Sequence, residues 1–431
     1  MLPKIIEYLK DKSILILGYG REGQSSYNYI KKYLPEKPVT IADRNSVSVD
    51  GENVEIISGD GYLDRVNDFD LVLKSPGISF KDVEITDGTE VTCEVDLFLR
   101  FADCRKVGIT GSKGKTTTST LTYEMLKAGG FDARLIGNIG VPVFETLDSL
   151  NPDTVAVIEM SSHQLEFTHA SPEVAILTNI YEEHLDHYKG GMTGYVNAKL
   201  NIVRHQNESN TFIYNGTQGI SDWLDLDSVK SNKIGVKLDD ALPFEITNEH
   251  LLGVHNRQDV LFAYNAAKTF GVSDADCEKG AQNFSGIEHR MEKVGTFKGI
   301  TFYNDCIATI PHAVECAVEA LKNVDTLIIG GKDRGLDYSE FIDWLAESSI
   351  GNIIGTPETG HSIVNAIKAK GSDKTLICAA DLDEAVRTAY EKTAKGKICL
   401  LSPAASSYNV YKNFEFKGRH YKELVNKYGL D

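Results

Sequence analysis

Short apolar runs recur along the chain, and each is followed by a stretch in which apolar residues return at helical spacing. After a brief amphipathic N-terminal helix the runs fall at Ser13 to Leu17, Val39 to Ala42, Val54 to Ile57 and Leu71 to Leu73. A second group opens at Val107 and continues at Thr154 to Ile158 and Val174 to Leu177. A third holds Ile300 to Tyr303, Thr326 to Ile329, Ile353 to Ile354, Thr375 to Ala379 and Ile398 to Leu401. Strands alternating with helices predict mainly parallel sheets covered by helices, so the fold class is α/β. The grouping predicts three domains, 1–103, 104–286 and 287–431, each large enough for its own core. Helices are expected from Ser119, from near Thr193 and from near His255-Asn256. Gln206 to Leu251 is polar and turn-rich, and no chemistry is legible there.

The polar residues that follow these strands carry the candidate chemistry. Val107 to Thr110 runs into Gly111-Ser112-Lys113-Gly114-Lys115-Thr116-Thr117, a glycine loop that opens a helix. Such a loop cradles phosphate with backbone N–H groups and the helix N-terminus; Lys115 would reach the terminal phosphates and the Thr116 hydroxyl could ligate Mg²⁺. ATP is the expected ligand, although the loop is two residues shorter than the general P-loop, and a plain glycine turn before a helix is the alternative. In the first segment Gly18-Tyr19-Gly20-Arg21-Glu22-Gly23 is a nucleotide-binding turn, and Asp43 ends the next strand where an acid meets a ribose. That turn serves a dinucleotide or any nucleoside diphosphate. Ser75, in Lys74-Ser75-Pro76-Gly77, is either a ligand contact or a cap for its own turn.

Glu159 and His184 follow two strands of the second segment and suit a metal that bridges phosphate oxygens; simple solvation is the competing reading for each. Asn138 lies in a glycine loop that lets backbone approach a ligand. Lys199, taken alone, reads as a surface lysine. In the third segment Gly330 to Gly335 is a basic glycine loop whose Arg334 can grip a carboxylate bidentately. Cys306 follows a strand, but no histidine dyad is legible beside it, and a packed thiol is expected.

Composition narrows the partners. The 431 residues carry a formal net charge of −17, with 42% hydrophobic and 25% charged residues, which fits a globular protein and argues against nucleic acid or an anionic membrane as partner. Seven scattered cysteines suggest neither a disulfide framework nor a zinc site. No stretch has the length of a membrane span or the apolar core of a signal peptide, so a cytoplasmic protein is expected.

Together the stretches Thr110 to Thr117, Gly137-Asn138-Ile139-Gly140, Glu159-Met160-Ser161-Ser162, Glu183-His184-Leu185-Asp186 with Lys199 beyond, His289-Arg290, Asn304-Asp305 and Leu401-Ser402-Pro403-Ala404 resemble the Mur ligases of peptidoglycan synthesis, over essentially the whole chain. The short phosphate loop is the family's own. The resemblance, strongest to the branch that adds D-glutamate, implies an N-terminal Rossmann-like domain for a UDP moiety, a central P-loop ATPase and a C-terminal Rossmann-like domain for the amino acid. It implies ATP-dependent ligation of glutamate to UDP-N-acetylmuramoyl-L-alanine through an acyl phosphate, by a monomer. Lys115, His184 and Lys199 would be catalytic, with Lys199 carbamylated; Thr116, Glu159, His184 and Lys199 would hold two Mg²⁺ ions. ATP would meet Gly111 to Thr117, Asp259, Arg290 and Asp305. The UDP substrate would meet Gly20, Arg21, Glu22, Asp43, Arg44, Ser75, Asn138, Ser161 and Gln164, and the glutamate Thr309, Arg334, Ser407 and Phe414.

Two positions depart from the family pattern. Ile307 stands where a lysine is frequent, and Asp259 where an asparagine meets adenine. With the Gly18 to Gly23 turn and Asp333 to Asp337, the missing lysine also resembles the branch that adds L-glutamate. A folylpolyglutamate synthetase would lack the N-terminal nucleotide domain, a nicotinamide dehydrogenase would leave the phosphate loop unexplained, and a non-catalytic regulator need not have kept Lys115, Glu159 and His184.

Overall fold

The computed structural model describes residues 3–251 and 253–430. Seventeen strands form three sheets among them. The first sheet contains β1 (Ile14–Leu17), β2 (Val39–Asp43), β3 (Val54–Ser58), β4 (Leu71–Lys74) and β5 (Glu90–Thr92), in the spatial order β3-β2-β1-β4-β5, all parallel. The second contains β6 (Arg105–Thr110), β7 (Ala133–Gly137), β8 (Val155–Glu159), β9 (Val174–Leu177), β10 (Thr211–Asn215) and β11 (Asn232–Val236), in the order β11-β10-β9-β6-β8-β7, again parallel. The third contains β12 (Glu292–Phe297), β13 (Ile300–Asn304), β14 (Val324–Ile329), β15 (Asn352–Gly355), β16 (Thr375–Cys378) and β17 (Ile398–Leu401), ordered β12-β13-β17-β14-β15-β16, with only β12 antiparallel to its neighbour. The chain divides into two compact units, 1–285 with the first two sheets and 286–431 with the third.

Burial explains which strands the apolar pattern displays. Every residue of β1, β4, β8 and β9 is buried, as expected for strands covered on both faces by helices. The edge strands β11 and β12 are exposed or half-buried except at Val236, so they leave little apolar signal. The segment between Gln206 and Leu251, featureless by pattern, therefore supplies β10 and β11, which widen the second sheet at one edge.

The second sheet fixes the neighbourhood of the phosphate loop. β6 lies between β8 and β9, with Ile109 in register with Glu159 and Thr110 with Leu177. The helix Lys115–Ala128 leaves the loop and packs against the helices Val254–Thr269 and Asp274–Asn283. Gly280 makes that approach possible, since a Cβ there would stand 2.5 Å from the Met125 Cα. The expected N-terminal helix is Lys4–Leu9; Met1, Leu2 and Asp431 lie outside the described residues.

Candidate active site

The phosphate loop is built by two glycines in backbone conformations that a side chain would strain. Gly111 has φ +152° and Gly114 φ +81°, and Cβ atoms there would overlap Thr178 Oγ1 and Asp259 Oδ1. Residues after β9 clamp the loop from the side: Lys113 N donates to Asn179 Oδ1 at 2.8 Å, and Thr178 Oγ1 donates to Lys113 O at 2.6 Å. Ser112 Oγ lies 2.7 Å from Tyr195 Oη and accepts from Tyr181 N at 2.8 Å. Lys115 curls back over the loop, its ammonium donating to Gly111 O at 2.9 Å and Ser112 O at 2.8 Å. Thr116 is half-buried in the first helical turn. Lys113 pairs with Glu183.

Glu159 ends β8 beside this loop and is 1% exposed. Its Oε1 accepts from Asn138 Nδ2 at 2.6 Å, whereas Oε2 is buried with no hydrogen-bond partner. A desolvated carboxylate oxygen without a donor is costly unless a cation meets it. Among the described residues no group of three or more His, Cys, Asp or Glu side chains is assembled for a metal. Mg²⁺ at Glu159 would therefore need other oxygens, and a threonine hydroxyl with phosphate oxygens is a suitable set. The residues present fit that ion.

Lys199, which the bare sequence places on the surface, is 1% exposed. It lies on the inner face of the helix Met192–Arg204, with its ammonium donating to Gly111 O at 2.8 Å. Burial pushes its pKa well below the usual lysine range, and neighbouring Lys115 pushes in the same direction. His184 adopts φ +54° and its ring lies 4.9 Å from that of His163, which in turn meets His187 at 4.1 Å. Burial and these neighbours push the His163 pKa down to about 3, so this imidazole is neutral. Asp259 is buried against the phosphate loop, accepting from Thr118 Oγ1 at 3.2 Å.

A cleft of ≈ 570 Å³ opens at the carboxyl ends of the first sheet, where strand order reverses between β1 and β4. Gly20, Arg21, Glu22, Asp43, Arg44, Ser75 and Asn138 all line it. Asp43 Oδ2 accepts from Tyr19 N at 2.8 Å, and Ser75 Oγ donates to Gly18 O at 2.9 Å, holding the turn. Ser161 and Gln164 stand behind the lining rather than on it. They form the capping box of the short helix Ser162–Leu165, and Gln164 Nε2 donates to Glu22 Oε1 at 2.6 Å. Arg21 bonds to Gly140 O. Lys74 is almost fully buried beside this group, 3.3 Å from Glu166.

The C-terminal unit gathers the remaining candidates on the carboxyl ends of β13, β14 and β17. Arg334 Nη2 donates to Thr309 O at 3.2 Å. Ser407 is buried and its Oγ has no hydrogen-bond partner. Phe414 opens the last helix, its ring 6.1 Å from that of His289. Asp305 accepts from Ser402 Oγ at 2.8 Å, and burial pushes its pKa up to about 6. Arg290 acts electrostatically on Asp305. Cys306 is fully buried, and burial pushes its thiol up to about 11, a packed residue rather than a nucleophile.

Residues 109–241 match the Mur ligase middle domain, and residues 289–405 match the Mur ligase, glutamate ligase domain. The UDP-N-acetylmuramoylalanine--D-glutamate ligase of Ligilactobacillus salivarius is 34% identical, covering 98% of this chain and 98% of its own. The chain belongs to the Mur ligase family. The enzyme of the same name from Clostridium kluyveri is 32% identical over 97% of this chain and 98% of its own. Among solved Mur ligases, MurC from Thermotoga maritima aligns with a TM-score of 0.59 at 19% identity, covering 97% of this chain and 100% of its own. MurF from Thermotoga maritima in complex with ADP aligns with a TM-score of 0.57 at 15% identity, covering 97% of each chain. These two show the fold.

Sequence reasoning did not single out Thr178, Asn179 and Tyr195 as loop clamps, nor Lys74 under the cleft. Thr178 and Asn179 follow a buried strand, and Lys74 ends one, which is the signal that was available.

Glu22 generates a pH prediction. Burial pushes its pKa from 4.5 up to about 7, so the folded state binds the proton more tightly than the unfolded chain. Stability should therefore fall as pH rises through that interval, by an amount on the order of 1–3 kcal/mol. Glu22→Gln should flatten that slope in urea denaturation compared between about pH 5 and about pH 8. Curves for the two proteins that stay parallel across that interval contradict the assignment.

Proposed function

We propose that this Mur ligase joins D-glutamate to UDP-N-acetylmuramoyl-L-alanine at the expense of ATP. The observation that carries the reading is the double role of Asn138. It lines the nucleotide-sugar cleft and also donates to Glu159, whose backbone is in register with the strand feeding the phosphate loop. A substrate whose UDP lies on the Gly20 to Glu22 turn can thus extend its acyl end toward the γ-phosphate. The full-length likeness to the D-glutamate ligases supports the choice of substrates.

In this reading the carboxylate of the lactoyl-L-alanine arm attacks the γ-phosphorus and ADP leaves, giving an acyl phosphate. The glutamate amine then attacks the acyl carbon, loses a proton, and phosphate departs as the amide forms. Lys115 neutralises charge on the phosphoryl oxygens as the loop amides hold them. Thr116, Glu159, His184 and a carbamate on Lys199 would hold two Mg²⁺ ions, which offset phosphate charge when bound. Gly111 to Thr117 and Asp259, with Arg290 and Asp305, serve the nucleotide. Thr309, Arg334, Ser407 and Phe414 serve the glutamate. Asp43 and Arg44 hold the nucleoside end, and Ser75, Ser161 and Gln164 keep the cleft walls in place. The protein acts as a cytoplasmic monomer.

Carbamylation of Lys199 is supported by its burial and depressed pKa, which favour the neutral amine that attacks CO₂ and then loses a proton. The product is an anion where a cation stood. Protein incubated with ¹³C-bicarbonate should show a carbamate carbon resonance that is absent from Lys199→Ala. No difference between the two spectra contradicts this role.

The function itself is tested by phosphate release from ATP with UDP-N-acetylmuramoyl-L-alanine and each glutamate enantiomer. D-Glutamate should drive release and form the amide product. Product from L-glutamate alone, the outcome favoured if Ile307 and the Asp333 to Asp337 stretch set the isomer, overturns the stereochemistry. Product from neither overturns the substrate.

A further inference from the structure

Three strand ends converge in the C-terminal unit under the loop that bears Arg334. β13 runs into Asp305-Cys306, β14 into Gly330, and β17 into the segment that ends at Ser406-Ser407. Lys332 N donates to Ser406 O at 2.7 Å, tying the second segment to the third. Lys417, in the first turns of the helix Phe414–Leu430, reaches into this junction and is 3% exposed. Its ammonium donates to Gly330 O at 2.7 Å. No carboxylate of the described residues pairs with it; the ionisable group that faces it is the buried thiol of Cys306. Beside it, Ser406 Oγ and Ser407 Oγ are both buried without hydrogen-bond partners.

A buried ammonium without a counter-ion is destabilising, and so is a buried hydroxyl without a partner. Their coincidence at the carboxyl edge of a parallel sheet, where ligands of such folds bind, describes a site prepared for an anion. In a medium of low polarisability the field of Lys417 reaches the Arg334 loop little screened. Its bond to Gly330 O also fixes the start of that loop.

We propose that Lys417 is a positioning residue for the amino-acid substrate: it anchors the Arg334 loop through Gly330 and supplies the positive potential that draws a dicarboxylic amino acid into the site. The inference rests on the reading of glutamate as substrate. It assigns Lys417 a charge-dependent role, distinct from simple packing of the last helix.

Two variants separate charge from hydrogen bonding, each checked for an unchanged thermal midpoint. Lys417→Gln keeps a donor for Gly330 O and removes the charge; Lys417→Arg keeps both. Lys417→Gln should raise the KM for glutamate at least about tenfold while leaving those for ATP and the UDP substrate unchanged, and Lys417→Arg should stay near wild type. A glutamate KM unaltered in Lys417→Gln overturns the proposal, as does an equal rise in all three constants or an equal defect in both variants. If Lys417→Gln does not fold, a Lys417→Arg protein with an unchanged midpoint but a glutamate KM raised as far overturns it, and wild-type-like kinetics there support it. Wild-type enzyme that releases phosphate with glutamate keeps the substrate reading whatever the variants do; wild-type enzyme that does not removes both.

Discussion

The register of β6 against β8 on one side and β9 on the other is the constraint on which the phosphate-loop edge depends. Pairing Ile109 with Glu159 brings a carboxylate to the base of the loop, and pairing Thr110 with Leu177 brings Thr178 and Asn179 against its flank. Thr178 on that flank and Asp259 from the helix Val254–Thr269 sit so close that residues 111 and 114 must be glycine. A slip of one residue in the pairing with β8 would turn Glu159 to the other face of the sheet, and one in the pairing with β9 would move Thr178 and Asn179 off the loop. Loop conformation, carboxylate position and the approach of Asn138 thus follow from one set of backbone hydrogen bonds.

Around that frame the protein keeps several polar atoms in a state that is costly in the absence of ligand. Glu159 Oε2 and Glu22 Oε2 have no donors, Lys199 is buried against a carbonyl, and Lys417 has no carboxylate partner among the described residues. Each such group lowers stability on its own, because desolvation of charge is only partly offset by a single hydrogen bond. Their distribution follows the carboxyl ends of the three sheets. Cations stand at the phosphate loop and the Arg334 loop, and the free oxygen of Glu159 lies beside the strand that feeds the phosphate loop. Ligand binding would release those costs, so substrates should stabilise the fold as well as react in it.

Much of this was legible in the sequence because fully buried strands are short, apolar and followed by polar residues. The strands at Leu71, Val174 and Ile398 were readable for that reason, and the candidates that follow them lie at the carboxyl ends of those strands. The strands missed by pattern, β5, β7, β10, β11 and β12, are short, lie at or near sheet edges, or carry polar residues on an exposed face, so alternation is weak. Lys199 was misread in isolation because lysine is rarely buried. Its helical neighbours Tyr195, Val196, Ile202 and Val203, spaced on one face, were the available sign that it points inward. Lys417 escaped for a different reason: its surroundings are made by a residue distant in sequence, Gly330.

The central proposal is that the unpartnered oxygen of Glu159 would help hold a metal ion beside the phosphate loop. Calorimetric titration of a non-hydrolysable ATP analogue into wild-type protein and Glu159→Gln, with and without Mg²⁺, tests it directly. The account predicts that Mg²⁺ tightens binding to wild type by about tenfold or more, that Glu159→Gln loses this gain, and that metal-free affinities stay alike. A variant that retains the full Mg²⁺ enhancement would contradict it.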